Sequence, residues 1–143
     1  MARKRNVYTD VFVGDLSELV PLPPSTDSTN PLGDQLFDLI LATDTYIYYG
    51  DLRSPLTDAA SRLPPLGRIA ISLERMTAEE DEATGGKGWR LQGSGTYVHT
   101  TQHVREAAAA AGLEVEHLDT RHSPRNENGK PVKGQMAILR LTS

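Results

Sequence analysis

Thr43 and Asp44 put a hydroxyl beside a carboxylate at the end of the short apolar run Leu36-Phe37-Asp38-Leu39-Ile40-Leu41-Ala42. The tyrosine-rich stretch Thr45-Tyr46-Ile47-Tyr48-Tyr49 follows directly. So brief a run, between Gly33 and Gly50, reads as a strand buried on both faces, the kind found in parallel sheets covered by helices. Ligands of such sheets bind just beyond the carboxyl ends of the strands. The pair therefore sits where chemistry is expected, although spacing alone attaches no reaction to it.

Other chemically suggestive stretches carry less. Gly85-Gly86-Lys87-Gly88 lacks the spacing and the strand-to-helix setting of a phosphate loop. In Gly93-Ser94-Gly95 the glycines adjoin the serine, whereas a nucleophile elbow needs them two residues to either side. His99 and His103 stand four apart without the glutamate of a zincin helix, so they define no zinc site. Glu79-Glu80-Asp81-Glu82 reads as a solvated loop face. The absence of cysteine removes disulfides, thiolate metal sites and a cysteine nucleophile together.

The elements that must position Thr43 and Asp44 fit one domain of 143 residues. Asp10–Gly14 is a candidate first strand, preceded at residues 2–6 by what resembles the last turn of a helix. Ser17–Val20 can form one helical turn, and the proline-rich stretch after it is a loop, 21–35 in all. Leu36–Thr43 is the expected central strand. Asp51–Leu63 reads as a helix, with Pro55 near its start and Leu56, Ala59, Ala60 and Leu63 at helical spacing. Arg68–Glu74 is the next strand, 76–88 a flexible connection, and Trp89–Gln92 extended. Thr100 or Thr101 caps a helix through Ala111, stopped by Gly112. Leu113–Thr120 alternates like a strand near a sheet edge, Asn128-Gly129 signals a tight turn, and Val132–Leu141 returns antiparallel.

Net charge is −4, which gives no broad basic footprint for nucleic acid, and Arg3-Lys4-Arg5 alone is too short to supply one. No apolar run approaches a membrane span and no secretory signal opens the chain. The expectation is a soluble, cytoplasmic protein with neither nucleic-acid nor membrane partners.

The order of the pieces carries a resemblance. Val11-Phe12-Val13-Gly14-Asp15-Leu16, Phe37 to Asp44 and Gly67 to Glu74, in that order, resemble the later motifs of class I methyltransferases that use S-adenosylmethionine. Asp44 to Leu52 and Gly88 to His99 are similar to predicted methyltransferases fused to tetratricopeptide repeats. The resemblance spans about Ala2 to Leu141. It implies an α/β, Rossmann-like sheet in the spatial order 3-2-1-4-5-7-6 with the seventh strand antiparallel. This chain would supply strands three (Val11–Gly14), four (Leu36–Thr43), five (Arg68–Glu74), six (Leu113–Thr120) and seven (Val132–Leu141). It further implies S-adenosylmethionine as cofactor, with Asp15 and Leu16 at its adenine and Ala42 and Thr43 under its methionine part. Asp44, Tyr46 and Tyr48 would face the transferring methyl or its acceptor, and Trp89, Tyr97 and His99 would lie over the mouth of the site. Each residue also has a plain structural role open to it: a turn or helix cap for Asp15, Thr43 and Asp44, packing for the aromatic residues, a surface position for His99.

The chain departs from the family in lacking a glycine-rich turn after a first strand and an acidic residue closing a second. Two strands are thus missing between strands three and four. The expectation is a truncated methyltransferase domain over 1–143, or a fragment of a longer one. The gap would close by a rearranged sheet, by a second copy in a homodimer or higher homo-oligomer, or by a companion chain completing the sheet. An inactive, methyltransferase-derived module that works by dimerisation or partner binding is the other function class the same absence supports.

Overall fold

The apolar run after Gln35 forms a strand that is shorter and more open than its composition suggests. The computed structural model describes residues 7–12, 16 and 32–143. In it β1 spans only Leu39–Ala42, and Leu39 and Leu41 are 55% and 65% exposed. A 3-10 turn, Tyr46–Tyr48, leads into α1 (Arg53–Ser61). Pro55 sits in the first turn of α1, where its missing N–H has no helical partner to lose. β2 (Arg68–Arg75) follows, then α2 (Ala78–Glu82), β3 (Trp89–Leu91), β4 (Tyr97–His99) and α3 (Thr101–Ala110). β5 (Leu113–Asp119), the small hairpin of β6 (Asn126–Glu127) and β7 (Lys130–Pro131), and β8 (Gly134–Leu141) complete the order.

β2, not β1, is the central strand. One edge pairs along its length with antiparallel β8, which pairs in turn with antiparallel β5 at the sheet border. The other edge is shared: parallel β1 takes Arg68–Ile71, and parallel β4 takes over at Glu74 and Arg75. β3 closes that side antiparallel to β4. The order β1-β2-β8-β5 is the expected four-five-seven-six arrangement, antiparallel seventh strand included. Among the described residues β1 has no other strand partner, so the run expected to be buried on both faces is an edge. Residues 7–12 form no regular structure, and Val13, Gly14 and Asp15 lie outside the described residues, as do 2–6 and 17–31.

Strand alternation divides the sheet into two unlike faces. Ile69, Ile71 and Leu73 of β2 register with Leu139, Ala137 and Gln135 of β8. They are buried with Leu56, Ala59 and Ala60 of α1 and Val104, Ala107 and Ala108 of α3. The alternate positions, Ala70 and Ser72 facing Ile138 and Met136, make the opposite face, with Leu39 and Leu41 beside them on β1. No described helix contributes a buried residue there, and Ile138 and Met136 stay 36% and 41% exposed.

Two other differences have local causes. The stretch 76–88, read as a flexible connection, opens with α2. Thr77 Oγ1 accepts from the Glu80 N–H at 3.3 Å, and Glu80 Oε2 accepts from the Thr77 N–H at 2.8 Å. That reciprocal capping box satisfies two donors at a helix start. The Asn128-Gly129 turn (φ 50° and 74°) closes the separate hairpin β6–β7 rather than joining β5 to β8 directly. Of the described helices, none is long and apolar enough to cross a membrane.

Candidate functional site

β1 stops at Ala42, which is buried. The chain then leaves the sheet at the point where β4 will later take its place against β2. Thr43 and Asp44 make this exit and both are exposed. Asp44 has φ 51°, a left-handed conformation that aspartate tolerates better than most residues. Its N–H, which no strand partner can reach, donates to Ser72 Oγ on β2 at 3.1 Å. The Thr43 carbonyl accepts from Thr45 Oγ1 at 3.0 Å. The result is a tight, polar corner at the carboxyl end of β1 that presents one hydroxyl and one carboxylate to solvent.

The tyrosines after this corner divide sharply. Tyr46 is buried, donates its hydroxyl to the Pro55 carbonyl at 3.4 Å and meets Tyr49 edge-on at 6.0 Å. Burial, with Tyr49 and Asp58 nearby, pushes its phenol up to about 12, so it stays neutral. Tyr48 is exposed. Only Tyr48 is thus presented to solvent beside Asp44; Tyr46 anchors the turn.

Trp89, Tyr97 and His99 converge on the far end of the same segment, at Gly50. A β-carbon on Gly50 would lie 2.5 Å from Trp89 Nε1 and 3.0 Å from Tyr97 Cε1, so only glycine fits between them. His99 is completely buried, with Nε2 2.8 Å from the Tyr49 carbonyl and 3.0 Å from that of Gly50. Two acceptors at one nitrogen require Nε2 to carry the proton. Burial pushes this imidazole down to about 4, with the Tyr49 carbonyl opposing and His103 reinforcing the shift. The plain surface position open to His99 is thus overturned, because the residue is a neutral buried clamp.

Several contributors were given no site role from the sequence, His103 having been weighed there only as a zinc ligand. His103, buried on α3, accepts the Leu52 N–H at Nε2 (3.1 Å) and lies 4.8 Å from the Trp89 ring and 6.0 Å from His99. Glu74, buried at the end of β2, pairs with Arg125 Nη1 at 2.6 Å and accepts from Gln92 Nε2 at 2.6 Å and Thr96 Oγ1 at 3.2 Å. With these three partners the Glu74 carboxylate ties the segment leading into the β6–β7 hairpin and the β3–β4 turn to the sheet. Leu16 lines an apolar cavity of about 160 Å³ with Phe37, Ile40, Tyr46 and Tyr49 on the α1 side. Asp15 falls outside the described residues. No group of three or more histidine, aspartate or glutamate side chains is gathered as a metal set among the described residues.

No family model matches the sequence, and no similar curated protein is found. Solved structures do share the fold. A methyltransferase dependent on S-adenosylmethionine from Methanosarcina mazei superposes with a TM-score of 0.61 at 12% identity, over 91% of this chain and 66% of its own. One from Leishmania major gives 0.59 at 15% identity, over 89% and 43%. The magnesium protoporphyrin IX methyltransferase of Synechocystis, solved with bound S-adenosylhomocysteine, gives 0.55 at 14% identity, over 90% and 49%. The chain has the class I methyltransferase fold and spans between 43% and 66% of the length of these structures.

Proposed function

We propose that this chain is the carboxyl-terminal half of a methyltransferase that uses S-adenosylmethionine, completed by a second polypeptide surface. One observation carries the reading: strands in the order β1-β2-β8-β5, with β8 antiparallel and an exposed hydroxyl-carboxylate corner where β1 ends. Ala42 and Thr43 would lie under the methionine part of the cofactor, where a small side chain and an exposed acceptor suit an alkyl chain ending in an ammonium. Asp15 and Leu16 would approach the adenine. Asp44 and Tyr48 would face the acceptor, while Tyr46, Trp89, Tyr97 and His99 would shape the segment behind them. The cofactor, when bound, supplies an electrophilic methyl on a sulfonium; the chain's part is to hold it and the acceptor in line.

These residues would line one side of that cofactor. Among the described residues no glycine-rich turn joins a strand to a helix beside β1, and the outer edge of β1 is unpaired. A second copy of the chain would supply a neighbouring strand, whereas the missing cradle would have to come from a companion chain. The exposed Leu39, Leu41, Met136 and Ile138 also favour a second reading, an inactive module that binds a partner through this face.

Calorimetric titration with S-adenosylhomocysteine separates the two. Saturable binding that is lost in Asp15→Ala, with little change in stability, is the expected outcome. Equal affinity in that variant would overturn the adenine assignment, and no binding at millimolar ligand would make the chain alone either a fragment without its companion or a partner-binding module.

A further inference from the structure

The segment from Asp44 to Leu52 is held at its far end by two histidines of opposite polarity. His99 Nε2 faces two carbonyls, Tyr49 and Gly50, and must donate. His103 Nε2 faces the Leu52 N–H and must accept. At neutral pH the two rings therefore carry their protons on different nitrogens, Nε2 in His99 and Nδ1 in His103. Their planes are nearly parallel, 16° apart, with ring centres 6.0 Å from each other. Gly88 backs the pair, since a β-carbon there would come within 2.7 Å of His103 Cβ.

We propose that His99 and His103 are positioning residues that fix this segment by complementary tautomers, and that protonation of His103 moves it from the Leu52 N–H to the Asp51 carboxylate, freeing the segment. Asp51 Oδ1 already stands 3.8 Å from His103 Nε2, too far for a hydrogen bond to the neutral ring and close enough to receive the charged one. The other charged or titratable groups around His103 are Arg53 at the start of α1, Asp81 on α2, Glu106 one turn along α3 and His99 on β4. Glu82 and Lys87 line the groove beside it. Burial holds the His103 imidazole below its ordinary range; Asp51 opposes that shift and Arg53 reinforces it. His99 keeps a proton on Nε2 whether its ring is neutral or charged, so it still clamps the Tyr49 and Gly50 carbonyls when His103 titrates. The segment would then be freed at Leu52 and retained at Gly50, a hinge rather than an unfolding.

The functional meaning rests on the proposed reading of Asp44–Leu52 as a wall of the site, but the test needs no cofactor. Nitrogen-15 spectra of the full chain at neutral pH should show the Nδ1–H tautomer for His103 and the Nε2–H tautomer for His99. Protection of the Leu52 amide against hydrogen exchange should fall about tenfold, the equivalent of one hydrogen bond, as His103 takes its proton. In His103→Gln, whose side-chain oxygen can accept the same N–H without titrating, that protection should stay level. The opposite tautomer on either ring would overturn the proposal, and that measurement is independent of whether the variant folds. An unchanged fall in protection in His103→Gln would overturn it equally.

Discussion

The two faces of the sheet have the same backbone and opposite circumstances. On the covered face Ile69, Ile71, Leu73, Ala137 and Leu139 are buried against α1 and α3. On the bare face the intervening residues include Ala70, Met136 and Ile138, joined by Leu39 and Leu41 of β1. Towards the amino-terminal end of β2 the bare face turns polar. There Arg68 pairs with Glu116 at 2.6 Å and Arg140 binds Glu114 at 2.5 Å. The covered face completes its chemistry within the chain. Among the described residues the bare face keeps an apolar band next to an unpaired strand edge, a combination that favours burial by another surface. Folding of this chain is thus written on one side of these strands, and the proposed association would use the other.

Truncations on the two faces should separate these roles. Ile71→Ala removes a fully buried side chain from the covered face and should cost about 2–5 kcal/mol in urea unfolding. Its neighbour across the ladder from Ala70, Ile138→Ala, should cost under about 1 kcal/mol in the isolated chain. Leu41→Lys should likewise leave the isolated chain folded, yet abolish any concentration-dependent association seen by sedimentation. Equal costs for the two isoleucine variants would mean that the bare face is already buried in solution.

A smaller effect should follow pH, and it belongs to the covered side. The unfolded chain takes up a proton on His99 below about 6.5, whereas the folded chain resists until about 4. Between those values the unfolded state binds more protons, so stability falls as pH falls, by roughly 3 kcal/mol in total. No such loss should occur above pH 7. Unfolding midpoints measured across this window should flatten in His99→Gln, which can still donate to the Tyr49 and Gly50 carbonyls. An equally steep loss in that variant would place the acid sensitivity elsewhere.

Much of the covered face was legible from periodicity. Leu56, Ala59 and Ala60 recur at helical spacing, and the apolar residues of β2 alternate, because both patterns reflect burial on one side of one element. Thr100 as N-cap was equally local, its hydroxyl accepting the His103 N–H at 3.0 Å. Leu39 and Leu41 misled because an apolar run records what a strand can bury, not whether a neighbour is present to bury it. α2 was overlooked although Thr77-Ala78-Glu79-Glu80 has the capping-box spacing, since its acidic, apolar-poor surface carries no periodic signal. His99 and Gly50 meet only through tertiary packing: neither residue type announces a partner 49 positions away.

The bare edge also bears on the smallest effect expected, at Asp44. β1 ends where it does because Asp44 turns out of the sheet with φ 51°, its N–H satisfied by Ser72 rather than by a strand. A left-handed residue with a β-carbon carries strain of about 1 kcal/mol, which glycine relieves while giving back part of the gain through its freer unfolded chain. Asp44→Gly should therefore be neutral to about 1 kcal/mol stabilising in thermal unfolding. If Asp44 faces the acceptor, the same variant should lower methyl transfer without lowering affinity for S-adenosylhomocysteine. A variant that loses stability instead would show that the carboxylate holds the corner together, and the difference between an exposed functional residue and a structural one would then be decided against function at this position.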